Sequence, residues 1–107
     1  MNVTLIYPLL SKERSKTDEA KQYWPPLGLA YIAAVLKKNG HSVQILDRDL
    51  ILRKNNLDFS KSDEDMLNLT GKFNTQIAGF SATTPNVSDV DYFSRKIKIM
   101  NPKVITV

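Results

Sequence analysis

The sequence contains no cysteine and a single histidine, His41. Without thiols the chain cannot form a disulfide, a zinc–thiolate site or the ligands of an iron–sulfur cluster. One imidazole cannot build a histidine metal site by itself. No apolar run reaches the roughly 18 residues that a membrane span needs, and the opening MNVTLIYPLL lacks the basic segment of a signal peptide. These absences favour a cytoplasmic protein with no membrane span.

Common nucleotide-binding motifs are also missing. No G-x-G-x-x-G follows a strand pattern, and no G-x-x-x-x-G-K-[ST] is present, which argues against dinucleotide and phosphate-loop folds. The first predicted strand ends without the paired acidic residues of a phospho-acceptor receiver. The net charge of +4 comes from lysines and arginines scattered among acidic residues. This pattern is typical of a solvated surface, so we predict no nucleic-acid partner.

What the sequence does contain is a regular alternation of strand and helix patterns. Its 107 residues are 42% hydrophobic and 24% charged, as in an ordinary single globular domain. Buried-type apolar runs predict strands at about 2–7, 43–47, 77–81 and 103–107. Helical patterns separate them. The order β-α-β-α-β-α-β predicts an α/β fold with a parallel sheet and helices on both faces.

Each predicted helix has a boundary signal and an apolar face. The first begins after Pro25-Pro26, ends at Asn39-Gly40, and has a predicted inner stripe of Leu27, Ala30, Ile32, Ala34 and Leu36. The second follows a loop with a short helical turn; Ser62 is its predicted cap, and its predicted inner residues are Met66, Leu67, Leu69 and Phe73.

The third predicted helix is capped by Asn86 or Ser88 and ends at Asn101-Pro102. Its predicted inner stripe consists of Val90, Phe93, Ile97 and Met100.

Ligands of open parallel sheets bind beyond the carboxyl ends of the strands. This rule places His41, which precedes the second strand, at the wrong edge for a ligand. The stretch SATTPN, in contrast, follows the third strand and offers small polar side chains to a ligand; the alternative is an ordinary turn capped by Asn86 or Ser88. Asp47, at the end of the second strand, either accepts a hydrogen bond from a ligand or caps the next turn.

The start of the first helix has an unusual composition. Pro25 and Pro26 have no N–H, so the first free amide donor is at Leu27. The result is an apolar shelf, and Gly28 lets a flat group approach the backbone. The alternative is that proline simply begins the helix, as it often does.

Two stretches together carry a family resemblance. PPLGLAYIAAVLKKNGHSVQILD, followed by IAGFSATTPN and an amphipathic helix, resembles the N-terminal cobalamin-binding domain of radical S-adenosylmethionine enzymes. That group includes the anaerobic oxidative cyclases of magnesium-protoporphyrin IX monomethyl ester and methyltransferase-like relatives. The resemblance covers nearly the whole chain.

The resemblance implies a flavodoxin-like three-layer sandwich with strand order 2-1-3-4 and a corrin ring over the carboxyl edge. It places Pro26, Leu27 and Gly28 under the ring, and Ser81 and Thr83 against the nucleotide tail. The remaining predicted cofactor-binding residues are Asp47, Ala82, Thr84 and Asn86. The D-x-H-x-x-G element that supplies an axial histidine in methionine synthase and the mutases is absent. We therefore expect no protein imidazole on cobalt.

The resemblance also implies a larger parent enzyme. In the family a fifth strand follows, and then a catalytic barrel that carries the iron–sulfur cluster and binds S-adenosylmethionine. We therefore expect an incomplete domain that is not catalytic alone, has the barrel as its partner, and self-associates through its fourth strand. Two alternatives remain: the same fold without cobalamin, acting as a scaffold for the barrel, or an unrelated flavodoxin-like regulatory domain.

Overall fold

The computed structural model describes residues 1–9, 26–82 and 86–107. Strands and helices alternate along these residues, as predicted, with one addition: two helices instead of one separate the second and third strands. In chain order the elements are β1 (Asn2–Tyr7), α1 (Leu27–Lys38), β2 (Ser42–Asp47), α2 (Arg48–Lys54), α3 (Phe59–Lys72), β3 (Ile77–Phe80), α4 (Val87–Met100) and β4 (Ile105–Thr106).

The four strands form one sheet in the order β2-β1-β3-β4, and all neighbouring pairs are parallel. The strand β1 pairs with β2 along its whole length, from Asn2 opposite Ser42 to Tyr7 opposite Asp47. The predicted strand order and flavodoxin-like α/β fold are therefore confirmed. Because parallel strands share one carboxyl edge, the ends of β1 and β3 lie side by side, which positions the site described below.

The strand β4 is shorter than the predicted 103–107. It pairs with β3 only at Ile105 and Thr106, because Asn101 to Lys103 form a turn in which the Asn101 side chain accepts a hydrogen bond from the Lys103 N–H at 3.1 Å. The strand lies at the edge of the sheet, and Ile105 is exposed. Self-association through this edge stays a prediction.

The two faces of the sheet carry different layers. On the face that we call the three-helix face, α2, α3 and α4 cover a cluster made of Ile6, Leu46, Met66, Ala78, Phe93, Ile97 and Val104. On the opposite face, α1 packs through Leu29 and Ala33 against Val3 and Leu5. We call this the one-helix face, since α1 is the helix that covers it within the described residues. None of the described helices is long and apolar enough to cross a membrane.

The predicted inner stripe of α1 is wrong. Leu29 and Ala33 are the buried residues, whereas Leu27 is 68% exposed and Ala30, Ile32 and Ala34 also face outward. Of the predicted stripe, Leu36 is partly buried against the core. The helix is apolar on almost every side, so its periodicity could not select the inner face.

The region between β2 and β3 holds more helix than predicted. A full helix, α2, replaces the predicted loop because the Asp47 side chain caps it. The next helix, α3, begins at Phe59, where the Asp58 side chain accepts from the Lys61 N–H, so the predicted cap Ser62 instead lies buried inside the helix.

The predicted inner face of α3 is partly right. Met66 is fully buried and Leu67 packs against the core, but Leu69 is exposed and Phe73 is the half-buried C-cap residue. In α4 the predicted inner residues Phe93 and Ile97 are confirmed.

The ends of α4 follow the sequence closely. Its predicted end at Asn101 is confirmed. Asn86, one of the two predicted caps, occupies the N-cap position but makes no side-chain capping hydrogen bond to the helix. Val90 is half-buried, and Met100 is exposed because the helix is ending there.

Candidate functional site

A groove of about 440 Å³ opens at the carboxyl edge of the sheet, on the one-helix face. It lies between the ends of β1 and β3 and the first turn of α1. Its lining is mainly apolar and consists of Tyr7, Pro26, Leu27, Gly28, Leu29, Ile32, Phe80 and Ser81. This is the edge at which open parallel sheets bind ligands, so the groove is the candidate site.

Four of the predicted site residues meet at this groove: Pro26, Leu27, Gly28 and Ser81. Ala82 follows Ser81 along the chain and is exposed. The predicted residues Thr83 and Thr84 lie outside the described residues. Contact between any of these residues and a cofactor stays a prediction.

The other two predicted site residues hold backbone near the groove. The Asp47 carboxylate caps α2, accepting hydrogen bonds from the N–H groups of Asp49 and Leu50 at 3.1 and 3.2 Å. Capping of the following turn, the alternative role for this residue, is therefore observed. The Asn86 side chain is buried, and its Nδ2 donates to the Ser81 carbonyl at 3.2 Å. Both side chains thus fix chain segments at the carboxyl edge.

The glycine in the first turn of α1 is not explained by packing against the described residues. A Cβ added at Gly28 would meet none of their atoms within 4 Å, whereas one added at Gly79 would lie 3.2 Å from the Leu5 side chain. Gly79 is therefore required by the packing of the sheet. Glycine weakens a helix relative to alanine, so Gly28 costs stability without relieving a clash with any described residue. Among the described residues the space beside it is open.

Four lining residues were missed in the sequence: Tyr7, Leu29, Ile32 and Phe80. Tyr7 and Phe80 are the last residues of β1 and β3. Their position at the ends of neighbouring strands is a signal that could have found them. Leu29 and Ile32 could not be found in that way, because their part in the lining depends on which face α1 buries.

A charged cluster on the three-helix face was also missed. Arg48, the first residue of α2, donates from Nε and Nη2 to both carboxylate oxygens of Asp89 at 2.7 and 2.8 Å. Its Nη1 donates to Asp63 at 2.8 Å, and the Tyr92 hydroxyl donates to the other Asp63 oxygen at 2.7 Å. The cluster therefore joins α2, α3 and α4. We call these four residues the Arg48 cluster.

The arginine of the Arg48 cluster is shielded from solvent and its charge is matched by the two aspartates. Arg48 is fully buried, and its guanidinium lies 4.5 Å from the centre of the Phe93 ring. Although burial alone would lower it, the pKa of Arg48 is raised by the hydrogen bonds and charges of Asp89 and Asp63. Burial and the hydrogen bond to Asp63 raise the pKa of Tyr92 to about 12. No local pattern could have predicted this cluster, since the two aspartates lie 41 and 15 residues from Arg48.

The structure offers no protein metal site among its described residues: no group of three or more histidine, cysteine or acidic side chains is arranged to hold an ion. His41 lies at the amino edge of the sheet, where its Nδ1 is 3.3 Å from the N-terminal amine. Its predicted place, opposite to the groove, is confirmed. A group bound in the groove would therefore receive no histidine ligand from this chain.

Comparison with known proteins identifies the family. Residues 16–107 match the B12 binding domain family. This chain belongs to that family. The chain is also similar to cytidylyl-2-hydroxyethylphosphonate methyltransferase of Streptomyces wedmorensis, with 31% identity over 96 residues that cover 76% of this chain and 17% of that protein. The chain thus spans only a small part of the length of this relative. No solved structure matches this chain.

The groove of this B12-binding domain combines apolar and small polar groups. Its lining is mostly apolar, Gly28 leaves open space among the described residues beside the helix backbone, and Ser81 adds a hydroxyl at the end of β3. The cobalamin-binding part of the predicted resemblance is therefore supported at the level of the family.

Proposed function

We propose that the groove receives the corrin ring of cobalamin, and that this domain serves as the cobalamin-binding part of a radical S-adenosylmethionine enzyme. The observation that carries the proposal is the apolar groove of about 440 Å³ beside Gly28, at the carboxyl edge of a B12-binding domain. Bound cobalamin would supply the reactive cobalt centre, and the protein supplies binding and orientation.

The apolar walls support this assignment. Leu27 is 68% and Ile32 is 49% exposed, and both line the groove. Contiguous exposed apolar side chains commonly mark binding surfaces. Because Pro26 has no N–H, the first turn of α1 presents fewer amide donors than an ordinary helix start. The shelf therefore suits a ring better than a phosphate group.

The end of β3 supports the assignment of the nucleotide tail. The Ser81 backbone is held on both sides: its N–H donates to the Ile6 carbonyl at 3.2 Å, and its carbonyl accepts from Asn86. Its hydroxyl is therefore presented from a fixed position. We assign to Ser81 the contact with the tail, and to Pro26, Leu27 and Gly28 the surface under the ring.

The parent activity is a further part of the proposal. The similar protein is named a methyltransferase, and this chain covers 17% of it. We infer that the domain works with a catalytic barrel that binds an iron–sulfur cluster and S-adenosylmethionine, in a methyltransferase or an oxidative cyclase. This chain has no cysteine, so the ligands of such a cluster come from outside it. A three-cysteine C-x-x-x-C-x-x-C motif in the same coding sequence would support this inference; its absence would contradict it.

Binding itself is tested by titrating the chain with hydroxocobalamin and following the visible spectrum, with equilibrium dialysis to count sites. We expect saturable binding of one molecule per chain. Gly28→Trp should abolish it, because the indole would fill the space beside the helix, while the far-ultraviolet circular dichroism stays unchanged. As a control, Gly71→Trp on α3 places the same side chain far from the groove. Absence of saturable binding by the unaltered chain would contradict the proposal and leave the scaffold function.

A further inference from the structure

The first turn of α4 holds the ends of the two strands that form the groove. Asp89 Oδ2 accepts a hydrogen bond from the Leu9 N–H at 2.8 Å, and Asn86 Nδ2 donates to the Ser81 carbonyl at 3.2 Å. Ser81 lines the groove directly, and Leu9 is two residues beyond Tyr7, which also lines it. Asp89 and Asn86 themselves are buried and are not part of the lining.

The position of Asp89 is itself fixed. Arg48 binds both of its carboxylate oxygens, and Asp63 binds the same guanidinium from α3. In a bidentate arginine–carboxylate pair the two parallel hydrogen bonds set the orientation of the carboxylate as well as its distance. Every buried polar side-chain atom of the described residues has a hydrogen-bond partner. The acceptor for Leu9 is therefore held rigidly on the three-helix face.

We propose that Asp89 and Asn86 are positioning residues for the cofactor groove: through Leu9 and Ser81 they set the spacing between the ends of β1 and β3. This inference rests on the proposed function of the groove. Binding sites depend on supporting residues that hold the contacting groups within a fraction of an ångström. Loss of either hydrogen bond should therefore make the strand ends at the groove less precisely positioned, without changing any residue that lines the groove.

A matched pair of variants separates positioning from stability. Asp89→Ala and Asp63→Ala each remove one carboxylate from Arg48, but only Asp89 also accepts a hydrogen bond from the Leu9 N–H. Alanine is used because Asp89 Oδ2 accepts from both the Leu9 N–H and Arg48 Nε, so the amide oxygen of an asparagine would keep the bond to Leu9. We expect both variants to lower the melting temperature, and only Asp89→Ala to weaken hydroxocobalamin binding, by about tenfold at matched folded fraction.

The second readout needs no cofactor. In the cofactor-free chain, hydrogen exchange of the Leu9 amide, followed by NMR, should be slow in the unaltered protein and in Asp63→Ala. It should be at least about tenfold faster in Asp89→Ala, because a buried hydrogen bond is lost. Equal exchange in the two variants, or an equal loss of affinity, would overturn the positioning role.

A milder variant tests the hydrogen bond from Asn86 to Ser81, should Asp89→Ala fail to fold. Asn86→Ala removes the hydrogen bond to Ser81 and should weaken hydroxocobalamin binding severalfold. Its control, Asn39→Ala, removes the same kind of amide-to-carbonyl hydrogen bond, from Asn39 Nδ2 to the Val35 carbonyl, at an exposed position at the far end of α1. Equal affinities of the two alanine variants would contradict the proposal. If the unaltered chain does not bind cobalamin, the proposed function fails, while Leu9 exchange still decides whether Asp89 anchors β1.

Discussion

The two faces of the sheet differ in how completely they are packed. On the three-helix face, Met66, Phe93 and Ile97 are fully buried, and the Arg48 cluster ties three helices together. On the one-helix face, α1 buries Leu29 and Ala33 but leaves much of its apolar surface exposed. The groove lies at the end of this second, less covered face.

This difference indicates that stability and binding are carried by different sides of one sheet. Buried apolar and ionic contacts on the three-helix face make the structure costly to disturb. The open apolar surface near the groove adds little to folding and is available to a ligand. The two faces are connected at the strand ends, where side chains at the start of α4 form hydrogen bonds to the backbone of Leu9 and Ser81. Changes on one face should therefore mainly affect stability, and changes at the groove should mainly affect binding.

The largest expected effect on stability comes from removing the arginine of the Arg48 cluster. Arg48→Ala leaves Asp63 and Asp89 buried without their partner, and should lower the free energy of unfolding by about 3–5 kcal/mol. Urea unfolding followed by circular dichroism measures it. The control is Arg95→Ala, which breaks a pair whose arginine is 76% exposed; surface pairs contribute about 1 kcal/mol or less. Similar losses in the two variants would contradict the contrast between buried and exposed pairs.

A smaller and pH-dependent effect is expected at Tyr92. The folded pKa of about 12 lies above the ordinary 10.0, so the folded state holds the proton more tightly. The stabilisation is therefore complete below about pH 10 and is lost as the pH rises toward 12.

Tyr92→Phe should lower stability by about 1 kcal/mol at about pH 9 and by less at about pH 11.5. The groups around the hydroxyl and ring are Asp63, Arg48, Asp89 and Lys96; they are the same in both proteins, so the difference between the two proteins isolates Tyr92. Urea unfolding at the two pH values gives this difference. A constant difference would show that the tyrosine does not titrate in this way.

At Gly28 stability and binding should change in opposite directions. Gly28→Ala places a methyl group in open space, and should raise the free energy of unfolding by up to about 1 kcal/mol because alanine favours the helix. The same methyl group should weaken hydroxocobalamin binding. Thermal melts and visible titration measure the two effects. Tighter binding together with higher stability would argue against a ligand close to the helix backbone.

The smallest effect is expected at His41, on the amino edge. His41→Ala should leave the visible spectrum of the cobalamin complex unchanged, because the side chain lies beside the N-terminus and not at the groove. A change of spectrum on this substitution would place an imidazole on cobalt and overturn the position assigned to the cofactor.

The sequence was sufficient for most of the sheet because its signals are local, although β4 is shorter than predicted. Buried-type runs such as Val3 to Ile6 and the stop at Asn39-Gly40 mark single elements, and their alternation implies parallel pairing. It was insufficient for α1, because apolar residues lie on nearly every side of this helix and do not indicate which face is buried. It also failed at Ser62, because Asp58, four residues earlier, offered an equally good cap.

The candidate site was predictable only in part, for a related reason. Pro26, Gly28 and Ser81 were found because they are unusual residues at element boundaries. The roles of Asp89 and Arg48 depend on contacts between residues far apart in the chain, which a pattern of spacing does not encode. The role of Asn86 could not be predicted for the same reason, since an amide side chain after a strand can donate a hydrogen bond to a ligand or to a backbone carbonyl.

The most direct test of the separation between the two faces compares two serine substitutions. Ser81→Leu crowds the groove, whereas Ser60→Leu adds the same side chain to an exposed position of α3. Equilibrium dialysis with hydroxocobalamin, at equal folded fraction, gives both dissociation constants. We expect Ser81→Leu to bind at least about tenfold more weakly than the unaltered chain, a change of about 1.4 kcal/mol, and Ser60→Leu to bind normally. Equal affinities in all three proteins would contradict a cobalamin site at the end of β3.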